Sequence, residues 1–185
     1  MKFKTILLAA ALVAGFSASV LAEDMKMSDA SGQGMAAMDA AEPVPDAAFL
    51  AAHAKKLGDL YLYNAFTRAM PPAARAGGGF VTIYNAGATD DRLVSASSPA
   101  AKFTQLHNMV MDKGVMIMRE FENGIDIPAG AVVALKPGGK HVMFIDAPTQ
   151  FKQGETVAVT LHFEKAGEIT LDLPVGALGS TEMPQ

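Results

Sequence analysis

From Leu57 to Leu173 the chain is cut into short β-type runs by turn residues, and no segment of it sustains a helical period. The clearest run is residues 156–163. Val157, Val159, Leu161 and Phe163 fall on one side, and Thr156, Ala158, Thr160 and His162 on the other. That period of two is the signature of a half-buried strand. Further runs cover residues 60–63, 79–84, 93–97, 105–111, 115–120, 131–135, 141–145 and 168–173. Between them stand turn sequences such as Asn85-Ala86-Gly87, Asp112-Lys113-Gly114, Pro137-Gly138-Gly139 and Lys165-Ala166-Gly167. Asp112-Lys113-Gly114 between two strands is a hairpin signal. Eight or nine short strands over about 120 residues, without a long helix, predict an all-β, antiparallel sandwich over residues 56–176. Pro174 is expected to end the last strand, and residues 177–185 to form a disordered tail.

This sandwich has to hold by burial alone, because the sequence contains no cysteine. Half of the residues are hydrophobic and 18% are charged, enough apolar material for a core. The missing thiol also excludes function classes. The chain cannot be a thiol oxidoreductase, use a thiolate nucleophile, or carry a blue-copper site.

The first 22 residues read as a cleaved signal peptide. Lys2 and Lys4 precede an apolar run over residues 6–16, and Ala22 supplies a small residue at the cut. The run is shorter than the roughly 20 residues a membrane-spanning helix needs, so no stable membrane insertion is expected after cleavage. The exported product is placed in the periplasm. Its formal charge falls from −4 to −6, since two lysines and no acids leave. An acidic chain without a basic cluster excludes nucleic acid as a partner. Residues 23–55 form an acidic, Ala- and Met-rich extension expected to be a flexible linker. Asp46 is placed to cap a short helix over residues 47–56.

Twelve methionines is a high count, and several accompany histidines. In a strand, residues i and i+2 emerge on the same face. His141-Val142-Met143 therefore presents an imidazole and a thioether side by side, and His107-Asn108-Met109 repeats the arrangement. Met116 and Met118 share a face on the returning strand of the hairpin. Thioether sulfur is soft and selects Cu(I), and imidazole also binds copper. Calcium and magnesium want oxygen ligands, and structural zinc favours Cys with His. On spacing alone two readings stand: a soft-metal site, or methionines that fill a core beside ordinary surface histidines.

The stretch 64–174, about three fifths of the chain, resembles the periplasmic copper chaperone family PCu(A)C. The resemblance is carried by Arg68-Ala69-Met70-Pro71-Pro72, Asp91-Arg92-Leu93-Val94, Leu106-His107-Asn108-Met109-Val110-Met111, Gly114-Val115-Met116-Ile117-Met118-Arg119 and Leu135-Lys136-Pro137-Gly138-Gly139-Lys140-His141-Val142-Met143. Ten residues separate His107 from Met118, the family's interval. The 22 residues between Met118 and His141 are one more than the family pattern, an excess that a loop near Asn123-Gly124 absorbs. Phe66 stands where many members carry Trp.

The resemblance implies a cupredoxin-like sandwich. It also implies one Cu(I) bound by His107, Met118, His141 and Met143. Apart from the resemblance, Met109, Met111 and Met116 are candidates for neighbouring secondary contacts. Met25 and Met27, in the extension, are candidates for a looser second site. The implied role is delivery of Cu(I) to the CuA subunit of cytochrome c oxidase, or to a Sco-type thiol protein. The alternative is a copper-buffering, tolerance protein without a dedicated receiver. A catalytic role is not expected: a copper that cycles to Cu(II) favours nitrogen and oxygen ligands over two thioethers. The sequence also lacks a Ser-His-Asp order, paired carboxylates and a Gly-rich phosphate loop.

Overall fold

The computed structural model describes residues 42–184. The signal segment, Met25, Met27 and most of the extension lie outside the described residues.

Helix α1 (Ala47–His53) starts at Asp46, whose carboxylate accepts the Phe49 amide at 2.7 Å. It ends three residues before the expected boundary. Ala54 is already extended, and the next residues form β1 (Lys55–Leu57), which turns at Gly58 into β2 (Leu60–Arg68). Gly58 has φ +56, a left-handed conformation that glycine reaches without strain. There follow β3 (Ala76–Asn85), β4 (Asp91–Ser97), β5 (Phe103–Asp112), β6 (Val115–Glu120), β7 (Ile125–Ile127), β8 (Val132–Leu135), β9 (His141–Ile145), β10 (Thr156–Phe163) and β11 (Gly167–Gly176).

The strands pair in the order β6-β5-β9-β3-β2-β11-β10-β4-β7, with β1 added to β2 and β8 to β3. One layer of the sandwich runs from β6 to β2, the other from β11 to β7. The core between them is aliphatic and aromatic: Leu62, Ile83, Leu93, Leu106, Val142, Phe144, Leu161 and Leu173 are all buried. In β10 the expected alternation holds at every position, with Val157, Val159, Leu161 and Phe163 inside.

Three features depart from the sequence expectation. The described residues contain eleven strands instead of eight or nine, because β1 and β7 are three residues long and too short to show a period. One pairing is parallel: Val175 and Gly176 lie beside Thr67 and Arg68, where the chain passes from one layer to the other. Finally, Pro174 does not end β11. It is the last partner of β10, opposite Thr156, and from Val175 onward the strand pairs with β2. A residue without an amide proton is tolerated where the pairing partner changes. Beyond β11, the Arg68 Nε donates to the Ser180 carbonyl.

Two local details position the face that carries the candidate site residues. β8 and β9 lie end to end along the same edge of β3, β8 against residues 81–84 and β9 against residues 76–79. The turn between them is closed by the Lys136 amide donating to Lys140 O at 2.8 Å, so His141 opens β9 at this break. The second detail is the β5–β6 hairpin, whose two-residue turn is Lys113 (φ 49) and Gly114 (φ 84). Two positive φ values in succession define a type I′ turn, whose twist matches the strands it joins.

Candidate metal centre

Strand register assembles the site. β9 and β5 pair with His107 opposite His141 and Gln105 opposite Met143. β5 and β6 pair with His107 opposite Glu120, Met109 opposite Met118 and Met111 opposite Met116. Directly opposed residues share a face, as do residues two apart. Gln105, His107, Met109, Met111, Met116, Met118, Glu120, His141 and Met143 therefore all stand on one face of a three-stranded sheet. The opposite face carries Leu106, Val142 and Phe144 into the core.

The two imidazoles are the centre of this face. Their ring centroids are 6.0 Å apart, with planes inclined by 60°. A first-row metal sits about 2.0 Å from an imidazole nitrogen, so one ion can touch both rings. His141 is buried (6% exposed), and its Nδ1 lies 2.9 Å from Gly139 O. A carbonyl only accepts, so Nδ1 carries the proton and Nε2 keeps its lone pair. His107 is oriented from the other side. Its Nε2 lies 3.1 Å from Gln105 Oε1. The Gln105 amide nitrogen in turn donates to Glu120 Oε2 at 2.9 Å. The carboxylate fixes which end of Gln105 faces His107, so His107 Nε2 is the donor and Nδ1 is bare. That Nδ1 is buried and has no hydrogen-bond partner. Burial and the neighbouring His141 push the His107 pKa below its usual value, against a smaller opposing effect from Glu120. Burial disfavours the charged form.

The thioethers are held differently. Met143 lies beside Gly78 of β3, and the Phe80 ring folds back over that glycine. A Cβ added at Gly78 would meet Phe80 Cζ at 3.1 Å. Phe80 packs at 5.0 Å against Phe66, which is buried; the residue in the tryptophan position is thus a packing residue. Met118 is 45% exposed on the edge strand β6. It faces Met109 and lies diagonal to His107.

Gln105 and Glu120 are not singled out by sequence reasoning. Each is two residues from a candidate ligand, so the strand period already puts them on the right face. Among the described residues, no group of three or more His, Asp or Glu is arranged to hold a metal ion.

A model of the family described as "Putative lipoprotein LpqE-like" matches residues 60–175, which contain the entire face just described. The chain belongs to the LpqE-like family. Its sandwich is of the PCuAC type. The copper-bound PCuAC domain from PmoF2 superposes with a TM-score of 0.58 at 26% identity, over 68% of this chain and 99% of that one. The Cu(I) form of DR1885 from Deinococcus radiodurans gives 0.50 at 26% identity, over 71% and 86%. A curated relative, "Putative lipoprotein Lxx21020" of Leifsonia xyli subsp. xyli (strain CTCB07), is 34% identical over 96 residues. The match spans 52% of this chain and 58% of the length of that relative. This LpqE-like chain has no cysteine, so its 185 residues offer no thiol for a thioether-linked lipid. No helix among the described residues is long and apolar enough to cross a membrane.

The remaining two histidines of the LpqE-like chain stand apart from the face. His53 stacks on Phe49 at 4.7 Å in α1. His162 lies on β10, in the other layer, with Ser97 Oγ 3.0 Å from Nε2 and Glu168 Oε2 3.1 Å from Nδ1. Both of its ring nitrogens are thus engaged.

Proposed function

We propose that this chain is an exported Cu(I) carrier. It binds one ion through His107 Nδ1, His141 Nε2 and the thioethers of Met118 and Met143, and passes it to a thiol-bearing receiver. The observation that carries the reading is the bare, buried Nδ1 of His107, left without a partner because Gln105 and Glu120 hold the ring proton on Nε2. Beside it lies a second imidazole whose Nε2 is also unprotonated. A buried acceptor without a partner costs roughly 1–3 kcal/mol, and a metal ion removes that cost.

The donor set supports Cu(I). Two thioethers and two imidazoles are neutral, soft or intermediate donors. The Glu120 carboxylate on the same face adds attraction for a cation without being needed as a ligand. The copper-bound and Cu(I) forms of the similar PCuAC domains support the same reading. Histidine ligands need to be neutral to bind, and the lowered pKa of His107 keeps it so.

The proposed role is delivery of Cu(I) in the periplasm to the CuA subunit of cytochrome c oxidase or to a Sco-type thiol protein. A thiolate is a softer, charged donor and holds Cu(I) more tightly than a thioether. Copper therefore runs downhill from this site to a dithiol without an energy source. The test is an anaerobic Cu(I) titration against a competing chelator, followed by mixing with a reduced apo CuA domain. One tight Cu(I) in the folded domain and its transfer to the acceptor are expected. Cu(II) bound as tightly by the same four residues would refute the site. Copper retained at equimolar acceptor would refute delivery and favour a buffering role.

A further inference from the structure

Beyond His107, β5 loses its partner β9 and pairs with β6 alone. The outer half of the hairpin, residues 108–119, is a two-stranded ribbon that overhangs the sandwich. Its last backbone link to the body is the Met109 amide, which donates to Gly139 O at 3.2 Å. The tip is open to solvent: Met111 is 64% exposed, Val115 62% and Met116 46%.

The ribbon sorts its apolar residues by element. On the face shared with His107 and His141, positions 109, 111, 116 and 118 are all methionine. On the other face the apolar residues are Val110, Val115 and Ile117. If the ribbon needed only hydrophobic surface, aliphatic side chains would serve on both faces. Sulfur is confined to the side that leads to the two imidazoles. The opposed pairs Met111/Met116 and Met109/Met118 form two successive rungs, each with side chains within the roughly 4.5–5.5 Å Cβ separation of cross-strand neighbours.

We propose that Met109, Met111 and Met116 form a second Cu(I) station, weaker than the first. The ion enters and leaves through it, and Met118 stands between the two. Three neutral thioethers give a soft site without an imidazole, so its affinity lies below that of the His-containing centre. The step is ligand exchange at a monovalent ion: one sulfur bond forms as another breaks, and copper remains Cu(I). This inference rests on the proposed Cu(I) centre, and the two fail separately in the following experiment.

The full-length protein, with 13C-labelled methionine methyl groups, is titrated anaerobically with Ag(I), a redox-inert stand-in for Cu(I). The first equivalent is expected to shift the methyl groups of Met118 and Met143, and the second those of Met109, Met111 and Met116. The double variant Met111→Leu/Met116→Leu keeps volume at exposed positions. It is expected to lose the second binding event on the hairpin while the first stays within about twofold of the parent. A second equivalent that moves only Met25, Met27, Met35 or Met38 overturns the station. So does a double variant that still takes the second ion on the hairpin, which would show that Met111 and Met116 do not hold it. A first equivalent that leaves Met118 and Met143 unmoved refutes the centre itself.

Discussion

The two sides of the metal face are built to different standards of rigidity. His141 and Met143 belong to β9, which is paired with β5 on one side and β3 on the other. Their strand sends Val142 and Phe144 into the core, where both are almost fully buried. Met118 belongs to β6, an edge strand with one partner, and is half open to solvent. An isolated two-stranded ribbon is marginally stable in water, whereas a strand within a packed sheet opens only with much of the fold. The contrast separates two tasks of a carrier. In the proposed centre the β9 side would fix where the ion sits, and the hairpin side would let an incoming ligand take one bond at a time.

The sharpest way to break this contrast is to remove one ligand from each side. His141→Ala takes away a buried, pre-oriented nitrogen and leaves nothing on β9 to replace it. Its Cu(I) affinity should fall by more than about 100-fold, beyond the range for losing a supporting partner of a ligand. Met118→Ala removes an exposed thioether whose cross-strand partner, Met109, is another thioether. Its loss should stay near tenfold. Chelator competition on both variants measures the two values, with thermal unfolding to verify that each variant folds. Equal losses would mean that the hairpin holds the ion as firmly as the body does.

A smaller effect tests the orientation of the ring between the two sides. His107 is opposed by both strands and takes its tautomer from Gln105, which is itself oriented by Glu120. Gln105→Leu keeps the volume and removes both hydrogen bonds. Nitrogen-15 spectra of the apoprotein should show the His107 ring moving from one tautomer to a mixture. Cu(I) affinity should fall about 10-fold, the low end for loss of a partner that orients a metal ligand. An unchanged tautomer would show that packing alone, and not the Gln105–Glu120 chain, orients the ring.

How far this division was legible in the sequence follows from what spacing encodes. A period of two by itself puts His107 with Met109, Met116 with Met118, and His141 with Met143 on common faces. It does not say which residue of one strand faces which residue of the next. That register brings Glu120 opposite His107 and Met109 opposite Met118, and so creates the Gln105–Glu120 chain and the methionine rungs. The same limit hid the row of Ser97, His162 and Glu168, three residues from three strands. The alternation of β10 and the Lys113-Gly114 turn were legible because they are local. The parallel joint of β11 with β2 was not, because it depends on where Pro174 leaves one partner for another.

The smallest effect concerns protons, which act on one half of the donor set. Thioethers do not titrate, so acid reaches the site through its imidazoles. The pKa of His107 in the folded protein lies below its unfolded value, mainly through burial and then through His141. Below about pH 6.5, the unperturbed value for histidine, the unfolded chain binds a proton at this residue that the native protein resists. Stability rises with pH wherever the unfolded state holds more protons. His107 therefore contributes a loss of apoprotein stability as the pH falls from about 6.5 to its lowered native pKa, and no change above that window. Denaturant unfolding at pH 7.5 and 5.5, compared between the parent and His107→Asn, isolates this contribution: the parent should lose more stability on acidification than the variant. The copper-loaded protein should behave differently, because a metal on Nδ1 excludes the proton until it is displaced. Loading with Cu(I) should steepen the parent's loss of stability on acidification relative to the apoprotein, because the unfolded chain takes up protons at histidines that the metal keeps unprotonated in the native state. A parent and variant with the same acid dependence would mean that His107 is not desolvated, and the buried, unpartnered Nδ1 on which the proposed centre rests would lose its physical basis.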